Sequence, residues 1–355
     1  MTDNIFDRLA DLLRSSGPVN WRLAKEISES IAGAAEPIDP WLDEEYRDLA
    51  STASRMVDLG SPLDPSLGET EARIVDRRGW ASANIASLAY LAEPLADKLA
   101  SDAGSPLQPL GPALLGMQMG ATIGSSAQTV LGQFDLGLPT DPPTGPTFVV
   151  PNIEAFALES GLDARETRLW VALHEVTHHA AFEVPWVREH VLMLAHAFVD
   201  GLEFDNEGID KRIEALQDPE ALQAMLNEPT GLAGLLSPDD DGESIGRMRG
   251  VLAVIEGYAE HLVRKTAGTM IPSATRLRAA IDHRRNEVSQ GERLLHQAVA
   301  LDLRHADYRR GDEFCAEVVR RWGEDALDRI WEGPEMVPTE KELTDPVGWA
   351  ARVLL

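Results

Sequence analysis

Residues 160–186 read SGLDARETRLWVALHEVTHHAAFEVPW, the longest stretch of this chain with a clear helix start and a clear helix end. Asp163, followed three residues later by Glu166, makes a capping box that predicts the start of a helix. Pro185 predicts its end, because the proline ring removes a backbone donor and clashes with the preceding turn. The sequence therefore predicts one uninterrupted helix between these two points.

Two histidines and a glutamate within this predicted helix form the pattern His-Glu-x-x-His. His174 and His178 are four residues apart, so they lie about 40° apart around the helix axis and can share one cation. Glu175 points to the adjacent open side, where it can act as general base toward a water molecule. Two imidazoles and a carboxylate suit zinc, and a catalytic zinc site keeps a fourth position for water. The motif predicts metal-assisted hydrolysis, with Glu175 in an open cleft close to the metal.

A third ligand is expected from RMRGVLAVIEGYAEHLVRKTAG, residues 247–268. Its apolar residues recur at helical spacing, and Gly268 predicts the helix end. Glu256 lies within this apolar stretch, where an ionised carboxylate is costly unless a cation on a neighbouring helix pairs with it. We therefore predict that His174, His178 and Glu256 hold a Zn²⁺ ion.

The same helix leaves alternatives open. Glu260 lies one turn beyond Glu256 on the same face, where it could hold a ligating imidazole through its second ring nitrogen. Alternatively, the two glutamates and Arg264 form a solvated face of charge pairs. His261 competes as a ligand, although it points about 140° further around the helix than Glu256.

Other polar side chains near the motif have no unique assignment from the sequence. His179 projects about 100° away from His178, which favours a packed histidine, or one that hydrogen-bonds a ligand, over a ligand itself. Candidates to donate a hydrogen bond to the oxyanion of the reaction are Tyr258, His283, His296, His305 and Tyr308.

The composition limits the classes of partner. The chain has 59 acidic and 32 basic residues among 355 and a formal charge of −27, so nucleic acid and anionic membranes would be repelled. A single cysteine, Cys315, cannot form an internal disulfide, which favours the cytoplasm. The acidic N-terminus and the lack of a long apolar run indicate neither a signal peptide nor a membrane span. We expect a peptide or small amide as substrate, and the oligomeric state stays open.

Helical spacing of apolar residues over most of the chain predicts a mainly α fold of the α+β class. Helices are expected over residues 5–35 with a break at 16–18, and over 40–59, 71–102, 113–132 and 186–198. The clearest strand is 147–150, where β-branched and aromatic residues lie between two prolines, and residues 236–242 predict a solvated loop. We divide the chain into a helical N-terminal section, 1–112, and a metallohydrolase core, 113–355, with an inserted helical segment at about 186–242.

With these residues in place, the chain resembles the glutamate-liganded branch of the zincins, in which a second helix carries the glutamate ligand. VIEGYAEHL, residues 254–262, is similar to that helix. More closely, the chain resembles an actinobacterial zincin-like metallopeptidase family of hydrolases of unknown function. The segments that carry this resemblance are SGPVNW (16–21), LGQFDLGLP (131–139), VVPNI (149–153), LDLRHADYRRGDEFCAEVV (301–319) and IWEGPEMVPTEKELTDP (330–346). The resemblance implies a zincin-like core with a small sheet beside the active-site helix, where the strand at 147–150 would pair with an extended peptide.

Three functional hypotheses follow from these residues. The first is a zinc metallopeptidase that cleaves amide bonds by metal-activated water with Glu175 as base. The second is an amidohydrolase of small molecules, which a deep narrow pocket would favour over an open groove. The third is a non-catalytic zinc-binding scaffold, although such sites usually have four protein ligands and no use for a general base.

Overall fold

The structure is a computed structural model that describes residues 17–65, 71–101, 111–204, 236–238, 243–287, 290–291, 293–294 and 305–355. Helices make up most of these ranges, which confirms the mainly α class. In chain order they are α1 (Trp21–Ala32), α2 (Pro40–Gly60), α3 (Arg77–Ala83), α4 (Ala89–Ser101), α5 (Gly111–Ala127), α6 (Val150–Glu159), α7 (Ala164–Glu183), α8 (Pro185–Asp200), α9 (Glu243–Ala267), α10 (Ala274–Asn286), α11 (His305–Trp322), α12 (Glu324–Asp328) and α13 (Pro346–Val353). Short strands complete the set: β1 (Arg73–Val75), β2 (Thr147–Val149), β3 (Leu202–Phe204) and β4 (Leu236–Pro238).

Helix α7 is the His-Glu-x-x-His helix, and it begins and ends where the sequence predicts. The Asp163 carboxylate accepts a hydrogen bond from the Glu166 N–H at 3.0 Å, so the cap is formed. The Glu166 carboxylate does not complete the box, since it accepts the Ser273 N–H at 2.8 Å instead. Glu166 thereby ties the start of α7 to the start of α10.

Helix α7 is buried nearly all around, which explains why its apolar residues do not form a single stripe. It packs against α2 on one side and α9 on another, while α9 in turn packs against α8 and α11. The predicted stop of α9 is confirmed, because Gly268 follows its last residue with a φ of 41°. These contacts fix the two helices that carry the predicted ligands side by side.

The small sheet predicted beside the active-site helix is present, but β2 has a neighbour along each edge. Phe148 pairs in parallel with Ile74 of β1 and forms an antiparallel bridge with Gly132 on the other side. All three residues of β2 are buried. The expectation that this strand pairs with an extended peptide is therefore wrong, because both of its edges are already hydrogen-bonded within the chain.

Helix α5 shows why its sequence is so rich in small residues. A Cβ added at Gly116 or Gly124 would lie 3.0 Å from the Asn20 Cβ or 2.8 Å from the Ser28 carbonyl oxygen, both of them at the face of α1. The helix expected over 113–132 is present as α5, and its glycines let it pack closely against α1. In the described part of the chain, no helix combines the length and the apolar character that crossing a membrane requires.

Some predicted boundaries differ from the structure. The helix expected over 71–102 is interrupted by β1, whose partner β2 is distant in the sequence and could not be read from local spacing. Residues 236–238 form strand β4 against β3 instead of a solvated loop. Residues 5–16, 102, 239–242 and most of the proposed insertion lie outside the described residues, so the division into sections stays a prediction.

Candidate metal centre

Helices α7 and α9 bring the three predicted ligands together in the interior. His174 and His178 on α7 and Glu256 on α9 each expose at most 3% of their surface. The His174 Nε2 lies 3.2 and 3.3 Å from the two Glu256 carboxylate oxygens, and the His178 Nε2 lies 3.1 Å from one of them. One possible ligand atom from each residue falls within 4.8 Å of the others.

This spacing fits a tetrahedral ion. Ligand atoms bound to zinc at roughly 2.0–2.2 Å in tetrahedral geometry are separated by about 3.3–3.6 Å, close to the 3.1–3.3 Å between the carboxylate and the imidazoles here. The donor set of two imidazole nitrogens and one carboxylate oxygen is also the set that zinc prefers in catalytic sites. The three residues therefore fit a zinc ion in number, type and distance.

The ionisation states of the three residues decide which of them are already deprotonated as a metal ligand must be. Although burial favours the neutral acid, Arg285 and His174 hold the pKa of Glu256 well below its usual value, so the carboxylate is ionised. Burial, and after it the charge on His174, lowers the pKa of His178 to about 4, which keeps that imidazole neutral with a free lone pair. Against the opposing effect of burial, Glu256 raises the pKa of His174 to about 10. A metal has to displace that proton from His174.

Aromatic rings fix the orientation of both imidazoles. Trp170, one turn before His174, stacks on its ring at a centroid distance of 5.1 Å. Phe134 stacks on the ring of His178 at 5.8 Å. These contacts hold the ligand nitrogens toward Glu256, since a stacked ring cannot rotate about its side-chain torsions without losing its packing.

Glu175 is held by a loop that precedes β2. Its carboxylate accepts the Gln133 N–H at 2.7 Å and the Phe134 N–H at 3.2 Å. Its Oε1 lies 3.8 Å from the Nδ1 of His174. The side chain is only 1% exposed, so Glu175 lies in the interior and not in an open cleft as expected. Burial, the largest influence, raises its pKa above the usual range.

The loop has room for this carboxylate only because residue 132 is glycine. A Cβ at Gly132 would lie 2.7 Å from the Glu175 Cγ and would overlap the carboxylate itself. Asp135 closes the loop by accepting the Leu131 N–H at 3.0 Å, and Arg284 of α10 binds Asp135 at 2.5 Å. The segment LGQFDLG, residues 131–137, thus positions the Glu175 carboxylate, a role that its sequence does not reveal.

The alternatives left open on α9 are resolved by the structure. Glu260 is buried, but its carboxylate accepts from Arg285 at 3.2 Å instead of orienting an imidazole. Arg264 pairs with Asp312 at 2.6 Å, so a solvated face with the two glutamates is not formed. His261 binds Glu324 at 2.9 Å and therefore points away from the centre.

Arg285 is the residue at this centre that the sequence analysis missed. It lies in the last turn of α10, where a basic residue is ordinarily explained by the helix dipole. Its guanidinium contacts Glu256, lies 3.2 Å from the Nε2 of His174, and stands 5.8 Å from the Trp170 ring centroid. No local signal distinguishes it from Arg284, its neighbour.

A polar cavity of about 420 Å³ adjoins the centre on the side of Glu256. Glu260, Arg285 and Tyr308 also line it, so Tyr308 is the predicted oxyanion candidate that the structure places at this cavity. Tyr258 is excluded because its hydroxyl donates to Asp328 at 2.7 Å, and His283 is exposed beside Glu287. His296 and the side chain of His305 lie outside the described residues. His179 is buried and is not one of the three grouped donors, and its Nε2 has no hydrogen-bond partner among the described residues.

Comparison with known proteins agrees with this geometry. A family model described as zincin-like metallopeptidase matches residues 19–350. The chain belongs to the zincin-like metallopeptidase family. The match includes both ligand helices and the loop that holds Glu175, so these zincin-like features are parts of one family unit.

A solved structure is similar to this zincin-like chain over nearly its whole length. It is described as "a putative hydrolase with a novel fold from Chloroflexus aurantiacus". The two share 26% sequence identity with a TM-score of 0.69, over 94% of this chain and 98% of that one. No curated protein shows significant similarity to the chain.

Proposed function

We propose that this protein is a zinc metallopeptidase that hydrolyses amide bonds, with His174, His178 and Glu256 as ligands and Glu175 as general base. The observation that carries the proposal is the convergence of the three donors at 3.1–3.3 Å, with a second carboxylate, that of Glu175, beside His174. Within the described residues the possible metal site has three protein ligands, whereas a purely structural zinc site usually has four. The ligand count therefore favours catalysis over a scaffold.

Zinc held by these ligands supplies Lewis acidity, which polarises a carbonyl and lowers the pKa of water toward about 7. The two Glu175 oxygens are held unequally: Oε2 accepts the short bond from the Gln133 N–H at 2.7 Å, while the Phe134 N–H is shared between Oε1 at 3.2 Å and Oε2 at 3.4 Å. We infer that Oε2 anchors the side chain and that Oε1 takes the proton of the attacking water. The raised pKa of Glu175 strengthens it as a base.

The shape of the site favours a short substrate. The ligands are buried, both edges of β2 are occupied, and the adjoining cavity holds about 420 Å³, in the range of pockets for small molecules. A long extended peptide cannot pair with β2, because both edges of that strand are hydrogen-bonded within the chain. Short peptides meet this limit, and the enclosed pocket is also the feature that favours the second candidate, a small-molecule amide cleaved by the same residues.

The segments at 16–21, 131–139 and 330–346 also support placement in the actinobacterial branch of the family. This placement is part of the proposal. It would assign the chain to hydrolases whose substrates are not established, so the substrate has to come from experiment.

The test compares Glu175→Gln with the wild type after zinc loading. Zinc content is measured per chain, and hydrolysis is followed with a library of short peptides and N-acylated amino acids. Because the substitution spares all three ligands, we expect one zinc per chain and a rate loss of roughly 10²–10⁴-fold. His174→Ala should lose zinc and hydrolysis together.

Glu183→Gln is the matched control, since Glu183 is exposed at the end of the same helix. It should keep both zinc and rate. Equal rates in Glu175→Gln and wild type would exclude the proposed base. Loss of zinc from Glu175→Gln would make this residue part of the metal-binding structure and would favour the scaffold hypothesis.

A further inference from the structure

Arg285 binds the same carboxylate that the metal needs. One terminal nitrogen of its guanidinium contacts Glu256 and lies 3.2 Å from the Nε2 of His174, so it touches two of the three proposed ligands. The other terminal nitrogen lies 3.2 Å from a Glu260 oxygen. Only 12% of the side chain is exposed. Arg285 is therefore a buried cation that two acidic groups share.

A metal at the centre changes this balance. Glu256 cannot neutralise both a divalent ion and a guanidinium, and the two cations repel each other strongly at such short distance. Metal ligation leaves Arg285 with Glu260 as its remaining anionic partner. The nitrogen that faced Glu256 then needs another acceptor, because a buried donor without one is costly.

Arg285, whose terminal nitrogen contacts Glu256, lines the cavity in which a substrate would bind. Three arginines line it, and for two of them the carboxylate partner named here is not a proposed metal ligand. Arg278 contacts Asp312, and Arg309 lies 3.8 Å from Glu313 at the exposed rim. Arg285 alone among these three loses a partner to the metal.

We propose that Arg285 binds an anionic oxygen of the substrate beside the metal, in place of the Glu256 carboxylate. The oxygen belongs either to a free carboxylate on the substrate or to the scissile carbonyl as it gains negative charge. This inference rests on the proposed function and adds a residue that touches the substrate. Guanidinium groups suit both sources, because their paired N–H donors match oxyanions.

The test measures binding to the zinc-loaded protein by calorimetry and needs no turnover. The probes are N-acetyl-L-alanine, its uncharged amide N-acetyl-L-alaninamide, and methylphosphonate as a tetrahedral anion. We expect Arg285→Met to weaken anion binding by roughly 10- to 100-fold, as for a lost hydrogen bond between charged groups. Binding of the amide should stay unchanged. Arg309→Met, which removes an exposed arginine of the same cavity, is the matched control and should bind all probes normally.

The two anions distinguish the two sources. Loss of N-acetylalanine binding in Arg285→Met assigns the residue to a substrate carboxylate, whereas loss confined to methylphosphonate assigns it to the developing oxyanion. If Arg285→Met binds both anions as tightly as the wild type, or if the wild type binds neither, the inference is wrong.

A second variant guards against misfolding. Arg285→Lys keeps the charge but not the forked donors, and it should retain zinc with an intermediate affinity for the anions. If Arg285→Lys bound the two anions no more tightly than it binds the uncharged amide, that result would count against a role for the positive charge. Because binding is measured without hydrolysis, a failed Glu175→Gln test would remove the proposed reaction and leave the result for Arg285 standing.

Discussion

Replacing Gly132 by alanine should dislodge Glu175 without touching a metal ligand. The new Cβ would lie 2.7 Å from the Glu175 Cγ and overlap its carboxylate, so either the side chain or the loop has to move. Movement breaks the hydrogen bonds from the Gln133 N–H at 2.7 Å and the Phe134 N–H at 3.2 Å. The loop is also bridged to Phe148 of β2, which limits its freedom to shift.

The expected cost follows from two contributions. Overpacking a filled interior costs about 1–3 kcal/mol, and a lost hydrogen bond to a charged group costs about 1.5–3 kcal/mol. Because the loop relaxes in part, we expect a total of about 2–5 kcal/mol in the free energy of unfolding. Hydrolysis should fall by at least roughly 10²-fold, since a displaced base no longer meets the attacking water.

Urea unfolding monitored by circular dichroism measures the stability. Zinc content shows whether the substitution disturbs only the loop that holds Glu175 or also the metal ligands. Zinc should remain at one per chain. Gly111→Ala is the control, because no atom lies within 4 Å of a Cβ added at the first residue of α5. It should change stability by no more than about 1 kcal/mol. An unfolding midpoint and a rate equal to those of wild type in Gly132→Ala would refute this account of how Glu175 is held.

Three further outcomes are expected. Glu256→Gln should weaken zinc binding at least roughly 100-fold, measured in competition with a chromophoric chelator. Glu313→Gln, which changes an exposed residue of the same cavity, should bind zinc like the wild type. Equal zinc affinities in Glu256→Gln and wild type would show that the ligand set is wrong. Arg168→Met should lower the free energy of unfolding by about 2–4 kcal/mol, because it leaves Glu154 and Glu45 without the arginine that they bind at 2.5 and 2.7 Å. Replacing the exposed Arg47 by methionine should lower it by less than about 1 kcal/mol, and equal losses of stability in the two variants would contradict the role of burial. Although burial opposes the shift, Arg284 lowers the pKa of Asp135 below its ordinary 3.8. The stability that this ion pair contributes is therefore present above the pKa of Asp135 in the unfolded chain and is lost as the pH falls through its pKa in the folded protein. The difference in urea midpoint between wild type and Asp135→Asn should narrow from about pH 6 to pH 3, and a constant difference would contradict this prediction.

Local spacing in the sequence was enough to predict α7 and α9 and to choose the proposed ligands on these two helices. Helical periodicity, the Asp163 cap and the following proline predicted α7, and four-residue spacing placed His174 and His178 on one face. Glu256 was predicted because an isolated acid in an apolar helix needs a cation. These arguments depend on residues within one or two turns of each other, which is the range over which backbone geometry relates sequence to position.

The rest of the centre was decided by tertiary structure. Arg285 reaches His174 from 111 positions away, and the amides that hold Glu175 lie 42 and 41 positions before it. Strand β1 likewise forms only because β2 is available beside it, and that pairing closes the edge once expected to bind peptide. A backbone N–H carries no sequence signature, and an arginine at a helix end has the same local pattern whether it faces solvent or a buried carboxylate. Which groups meet therefore depends on how α7, α9 and α10 pack, because contacts between distant segments are fixed by the shared interior and not by spacing along the chain.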